Sequence, residues 1–351
     1  MNKQKKVIVG MSGGVDSSVS AALLKKQGFE VVGAFMRLVD SKKFKRAEKY
    51  AARMARRLGV SFLVFDFRSD FKKKIIERFL KGYSEGDTPN PCVWCNQEIK
   101  FGLFLDKAMK LRADYVATGH YVIKENIKEN IKEKNSGYRL LKSKDNLKDQ
   151  SYFLWTLTQK KLKRILFPVG GYTKKETKEM AKKLGILELT SKESEDICFI
   201  ENSFGGFVKK HTSLKPGPII DIHGKEIGQH SGLALYTIGQ RKNIKVASVD
   251  PYYVVRLDFE KNTLVVSQNK RDLYAKELIA KKVNWISGKE PGLPLRVSAK
   301  IRYLPKGAEA VIDKQKNRIR VKFFRAQRAI TPGQSVVFYK GKEVLGGGII
   351  C

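Results

Sequence analysis

The segment from Val7 to Leu24, VIVGMSGGVDSSVSAALL, constrains the chain more than any other. Three β-branched residues make a short buried strand, glycines and serines make a tight turn, and a helix-forming run follows at once. Glycines let the backbone approach an anion closely. Free N–H groups and the helix dipole then favour a phosphate at that turn. The loop is not GxxxxGK[ST], because no lysine follows the glycines, and it is not GxGxxG.

The pattern then repeats. FEVVGAFMRL reads as a second strand. FKRAEKYAARMARRLG carries Ala47, Tyr50, Ala51, Met54, Ala55 and Leu58 at helical spacing, with Gly59 as the stop. VSFLVFDF is a third strand, and DFKKKIIERFLKGYSEG is a helix. QEIKFGLFLDKAMKLR is another helix, and ADYVATGHY a further strand. Alternating strands and helices predict a parallel α/β sheet covered on both faces. Residues 122–147, with the near-repeat KENIKENIKEK, read as a solvated hairpin tip or loop. YFLWTLTQKKLKRILFPVG and TKKETKEMAKKLGI read as two amphipathic helices joined near Pro168, Gly170 and Gly171. From about residue 215 short strands with glycine turns predict a mostly β central region and then a small antiparallel barrel. The expected domains are 1–205, 206–277 and 278–351.

Charge bounds the partners. Seventy Lys+Arg against 35 Asp+Glu give +35. Such an excess attracts polyanions, nucleic acid first, although a Lys-, Ile- and Asn-rich composition bias would also raise it. No apolar run approaches the roughly 20 residues of a membrane span. The apolar run after MNKQKK is too short for a signal peptide, and no Arg- and Ser-rich transit peptide is present, so the expected compartment is the cytoplasm.

Cysteine is scarce: Cys92, Cys95, Cys198 and Cys351. Two sit three apart in TPNPCVWCN. A metal knuckle, a redox pair, or one nucleophile with a bystander could each explain them. A single CxxC, with His120, His211, His223 and His230 at unsuitable spacing, is a poor zinc site, and no metal ligand set is expected. Pro89 and Pro91 are expected to hold the segment extended. The helical pattern, with Ile99, Leu103 and Ala108 on one side, then begins only after Asn96. That would put Cys95 at a helix N-terminus, where a thiolate is stabilised, and Cys92 outside that field.

Several stretches occur in order: GMSGGVDSS, GAFMR, TPNPCVWCNQEIKF, ATGHY, KDQSYFLW, FPVGGYTKKE, EDICFI, YTIGQRK, KIRY and TPGQSVVFY. SGGVDSS after a first strand resembles the PP-loop of ATP pyrophosphatases. Together the stretches resemble the bacterial tRNA-specific 2-thiouridylases of the MnmA/TrmU family, over nearly the whole chain. The resemblance implies a PP-loop, adenine nucleotide alpha hydrolase-like domain, a small central domain and a C-terminal β-barrel. It implies that ATP, with magnesium, adenylates the 2-carbonyl oxygen of a wobble uridine in tRNA. A cysteine persulfide then delivers sulfur, leaving 2-thiouridine, AMP and pyrophosphate. An upstream sulfur-relay protein or cysteine desulfurase would load that persulfide.

Carried over, Cys95 matches the nucleophile and Cys198 the persulfide-bearing cysteine. Gly10, Met11, Ser12, Gly13, Gly14, Val15, Asp16, Ser17, Met36 and Gly119 would line the ATP site. Asn90, Pro91 and Cys92 would face the target base. His120, Lys148, Asp149, Gln150, Arg302, Tyr303 and Gln334 would contact tRNA. The chain departs from some members at Cys92, where they carry an acidic residue. Two alternatives stand beside this reading: another PP-loop ligase, which would leave both cysteines idle, and a non-catalytic RNA-binding protein, against which the intact SGGVDSS argues.

Overall fold

A computed structural model describes residues 4–127, 137–187, 197–304 and 306–351. Five parallel strands form the first sheet. From edge to edge they are Ser61–Asp66, Glu30–Arg37, Lys6–Gly10, Tyr115–Ala117 and Ile165–Leu166. The first strand in sequence is therefore central, with the order reversing around it. In parallel sheets such a reversal opens a crevice at the carboxyl ends of the strands. Ile8 and Val9 are fully buried, as strands covered on both faces require. The helix Lys42–Leu58 ends at Gly59 in the left-handed region, where the sequence places its stop.

The stretch 152–170 is not a long helix. It divides into a 3-10 turn at Ser151–Leu154, a short helix Gln159–Leu162 capped by Thr158, and the edge strand Ile165–Leu166. The Thr158 hydroxyl accepts from the N–H of Lys161 and starts a new helix there, and Ile165 pairs with Val116 as the sheet takes its fifth strand. The second helix forms over Lys174–Lys183, with a capping box between Thr173 and Glu176.

The central region holds a four-stranded sheet: Tyr253–Asp258, Thr263–Ser267, Gly217–Asp221 and Glu226–His230. Six antiparallel strands between Tyr274 and Ile350 close into a barrel, because the first, Tyr274–Trp285, pairs with the last, Glu343–Ile350. The arms Val122–Ile127 and Gly137–Lys142 form a hairpin. They are not solely solvated. Val122 and Leu140 are fully buried, and Leu141 pairs with Glu343 of the last barrel strand. Most of the KENIKENIKEK tip lies outside the described residues.

Barrel and parallel domain are bonded together. Tyr152 Oη donates to the Ser335 carbonyl at 2.8 Å, and Trp155 Nε1 to Ser335 Oγ at 3.0 Å. Asn284 Nδ2 donates to the carbonyls of Trp155 and Leu157. Gln334 Nε2 donates to the Thr88 carbonyl at 2.7 Å, and Thr88 N–H to the Pro332 carbonyl at 2.8 Å. The cysteine loop is thus anchored from the barrel side.

Candidate active site

Two sites sit at the carboxyl ends of the central strands. The first is the glycine loop. Gly14 is the N-cap of the helix Val15–Lys26, and no side chain caps that end. Its first N–H groups therefore have no side-chain partner, the arrangement that receives an anion. The loop is braced from within: Ser17 Oγ accepts from Ser12 N–H and donates to the Gly14 carbonyl, and Ser18 Oγ donates to the same carbonyl. Gly119, in the loop after Tyr115–Ala117, lies directly on the helix start. A Cβ there would sit 2.7 Å from Ser17 N. At Gly14 a Cβ would meet only Ser12 Oγ, at 3.5 Å, so space opens above it. Met36 reaches the same place from the neighbouring strand, 3.3 Å from where a Gly10 Cβ would be.

Asp16 is tied into this shell. Its carboxylate accepts from Tyr121 Oη at 2.7 Å and from Lys174 Nζ at 2.7 and 2.8 Å. Lys174 thereby joins the site, although nothing in the motif pointed to it. The signal was the FPVGGYTKKE run, read only as resemblance.

The second site is the thiol cluster. Here the sequence expectation fails. The helix starts at Pro91, not after Asn96: Asn90 is the N-cap, and its Oδ1 accepts from the N–H groups of Cys92 and Val93 at 3.2 and 3.4 Å. Proline suits the first helical position, since its missing N–H would have had no helical partner there. Cys92 therefore lies in the first turn. Cys95 lies one turn deeper, where the helix passes into a π-helical segment, Cys95–Leu103, that runs on into Phe104–Lys110. Arg78 stacks on Trp94 at 3.9 Å and holds the turn down.

Cys92 is exposed, Cys95 buried and Cys198 half-buried; all are free thiols. Cys198 is positioned by its neighbour Phe199, whose ring packs edge-on against Phe71 and Phe79. Burial pushes the Cys95 thiol up to about 11 and the Cys198 thiol up to about 12; Cys95 also feels Cys92, and Cys198 feels both Cys95 and Cys92. The predicted depression of Cys95 by a helix end is absent, because the residue lies past the first turn and is desolvated. Desolvation by surrounding atoms pushes Cys92 upward too, with Lys100 opposing it, although part of its surface is open to solvent; that opening makes it the most reachable of the three.

Lys100 is the cation that opposes these shifts, lowering all three thiols. Five residues beyond Cys95, it is carried round by the wider π turn. Its Nζ lies 3.5 Å from His120 Nε2, and His120 Nδ1 lies 2.7 Å from Thr118 Oγ1. Burial, then the Lys100 charge, hold His120 well below its ordinary value, so the ring is neutral. An ammonium can only donate, which assigns the proton to Nδ1. Lys100 was missed in the sequence because a lysine in CNQEIK reads as a helix-surface residue.

The remaining predicted contacts are dispersed. His120 is buried against Phe101 and Phe167. Asp149 is buried, accepting from Ser143 N–H and the Ser151 hydroxyl, and Gln150 Oε1 accepts from Tyr121 N–H. Lys148 lies beside them, half-buried. Arg302 donates to the carbonyls of Arg328 and Ala329. Tyr303 stacks on Phe153 at 4.6 Å, and Gln334 is bonded to Thr88. Among the described residues no group of three or more His, Cys, Asp or Glu is arranged to hold a metal ion.

A parallel sheet with an uncapped glycine-loop helix at its switch point defines a nucleotide-binding domain of the PP-loop type, here followed by a closed β-barrel. Family models agree. A tRNA methyl transferase HUP domain matches residues 5–202, a tRNA methyl transferase PRC-barrel domain 205–268, and an aminomethyltransferase beta-barrel domain 275–350. A tRNA-specific 2-thiouridylase, MnmA 2, of Clostridium tetani is 47% identical over 361 residues, covering 99% of both chains. MnmA 2 of Thermoanaerobacter sp. is 45% identical, covering 100% of this chain and 99% of its own. MnmA of Acetivibrio thermocellus is 43% identical, covering 99% of both. The chain belongs to the MnmA family of tRNA-specific 2-thiouridylases.

Proposed function

We propose that this protein is an ATP-dependent tRNA 2-thiouridylase, a sulfurtransferase, and that Cys95 and Cys198 carry its sulfur chemistry. The observation that carries the reading is the gathering of three free thiols, Cys92 and Cys95 on one helix with Lys100 and Cys198 from a separate turn, beside a preformed anion cradle. ATP phosphates would lie over Gly14 and the uncapped helix end. The uridine 2-carbonyl oxygen attacks the α-phosphorus, and pyrophosphate leaves. Cys95 thiolate attacks the inner sulfur of a Cys198 persulfide, expelling hydrosulfide. Hydrosulfide adds at C2, AMP leaves, and a Cys95–Cys198 disulfide remains. The methyl-transfer wording of the family models does not suit this cluster, since methyl transfer would leave three neighbouring thiols without a task.

Asp16 is engaged by Tyr121 and Lys174, and among the described residues no group of three or more His, Cys, Asp or Glu is arranged to cage a metal ion. A magnesium ion would be held chiefly by the phosphates it neutralises. The tRNA would be drawn by the +35 charge, so log affinity should fall with log salt with a slope of about −4 or steeper. The proteins or enzymes that load Cys198 must reach a half-buried thiol. Among the described residues no helix is long and apolar enough to cross a membrane. Free thiols suit the reducing cytoplasm, where we place the enzyme.

The test is nucleoside mass spectrometry of tRNA incubated with ATP, sulfur donor and protein, with AMP followed in parallel. AMP formed only with tRNA, together with 2-thiouridine, supports the reading. AMP without thiolated nucleoside would move the protein to another ligase class, and neither product would leave only RNA binding.

A further inference from the structure

We propose that Cys92 is the gateway thiol of the reductive half of the cycle. After each sulfur transfer its thiolate attacks Cys95 Sγ of the Cys95–Cys198 disulfide. The Cys95–Cys198 bond breaks, Cys198 leaves as a thiolate and takes a proton from solvent, and a Cys92–Cys95 disulfide forms. A dithiol reductant then attacks Cys92 Sγ from the solvent side. Its first sulfur forms a mixed disulfide with Cys92 and frees Cys95. Its second closes the reductant's own disulfide, restoring Cys92 as a thiol. Two electrons pass from the dithiol to the cluster in each turnover. The inference rests on the 2-thiouridylase reading.

Three observations support it. First, sulfur transfer ends with an oxidised pair of which Cys95 is buried and Cys198 half-buried, while Cys92 is exposed beside them. A protein-sized reductant meets Cys92 first. Second, Cys92 and Cys95 are three apart on one helix. Residues so spaced have Cβ atoms roughly 5–6 Å apart, so a modest distortion of the turn closes a disulfide. The distortion falls where the helix is least regular, at the junction of a four-residue α-turn with a π-helical segment. Third, all three thiols lie within the field of one another and of Lys100, so the leaving Cys198 thiolate departs beside a cation. Exchange within one chain also gains from a high effective concentration. A mere bystander needs neither the exposure nor the spacing, and among the described residues no group of three or more His, Cys, Asp or Glu is arranged to hold a metal ion.

The test uses the full chain with its persulfide loaded by a small polysulfide. It is mixed with ATP and unmodified tRNA without reductant, then alkylated and mapped by peptide mass spectrometry. A Cys92–Cys95 linkage, cleared by reduced thioredoxin as a protein dithiol, is the expected result. Cys92→Ser and Cys92→Ala should arrest as Cys95–Cys198, and its reduction by thioredoxin should slow by about tenfold or more. If 2-thiouridine forms but Cys92 never enters a disulfide, or if it links to Cys198 instead, the gateway role is overturned. Stoichiometric metal bound by the three thiols would overturn it too. If the first turnover of the unaltered protein yields no 2-thiouridine, the underlying function fails instead, and the two failures are told apart by that product.

Discussion

The glycine loop and the thiol cluster both lie at the carboxyl ends of one sheet's strands but stand in opposite states of readiness. In the loop, serine hydroxyls, the Gly14 carbonyl and the Asp16–Lys174–Tyr121 bonds hold the backbone in place, with helix N–H groups left for an anion. That arrangement costs no reorganisation when phosphate arrives. In the cluster, Cys95 is raised to about 11 and Cys198 to about 12 by burial, so both are thiols at neutral pH. One half is set before substrate binds; the other must be switched on. The lesson is protective. A reactive thiolate that waits for its substrate resists oxidation better than one that is always present.

The comparison breaks most decisively at the cysteines. Cys95→Ser and Cys198→Ser should each lose 2-thiouridine formation completely while AMP still forms with tRNA. Thiolated nucleoside from either variant would detach the cluster from the chemistry. Next come two glycines of the prepared half. Gly14→Val points a side chain into open space, so AMP formation should vanish while the melting temperature holds. Gly119→Ala forces a Cβ to 2.7 Å from Ser17 N, which should cost about 1–3 kcal/mol and lower the melting temperature by several degrees. Equal melting of the two would remove the steric distinction.

Lys100→Gln sharpens the other half. Lys100 lowers all three thiols, so its loss should cut thiolate and activity near pH 7, about tenfold for each pKa unit it supplied. Because the thiols are raised by burial, activity should climb with pH. Without Lys100 the climb should move further alkaline, and Lys100→Arg should recover part of it. An unchanged pH profile would leave Lys100 a structural residue. The smallest effect is expected at Gln334→Ala, which removes one bond to the Thr88 carbonyl and should cost about 1 kcal/mol in a denaturation midpoint.

The parallel sheet, the glycine loop and the barrel were legible because each rests on a local signal: Val7–Val9 before glycines, helical spacing from Ala47 to Leu58, short alternating strands after residue 278. Failures came where two local rules compete. Pro91 both forbids helix before it and suits a helix's first position, and only the Asn90 side chain decides between them. Thr158 caps a new short helix within a run whose apolar spacing alone resembles one long helix. Lys100 and Lys174 owe their importance to residues far off in sequence or brought round by an irregular turn, and no window of sequence carries that. The inward turn of Asp149 and Gln150 is likewise a tertiary fact: a polar KDQ reads as outward until Ser143, Ser151 and Tyr121 are placed around it.

The pairing of Leu141 with Glu343 has a further consequence, for the making of the protein. The hairpin leaves the ribosome about 200 residues before the strand that completes it. At typical synthesis rates its open edge waits roughly 10–40 s for that partner, as do the indole of Trp155 and the hydroxyl of Tyr152 for Ser335. Through that interval the first domain has an unpaired edge and uncovered aromatic surface, both invitations to aggregation. A message truncated near its end would therefore damage the nucleotide domain that was translated first.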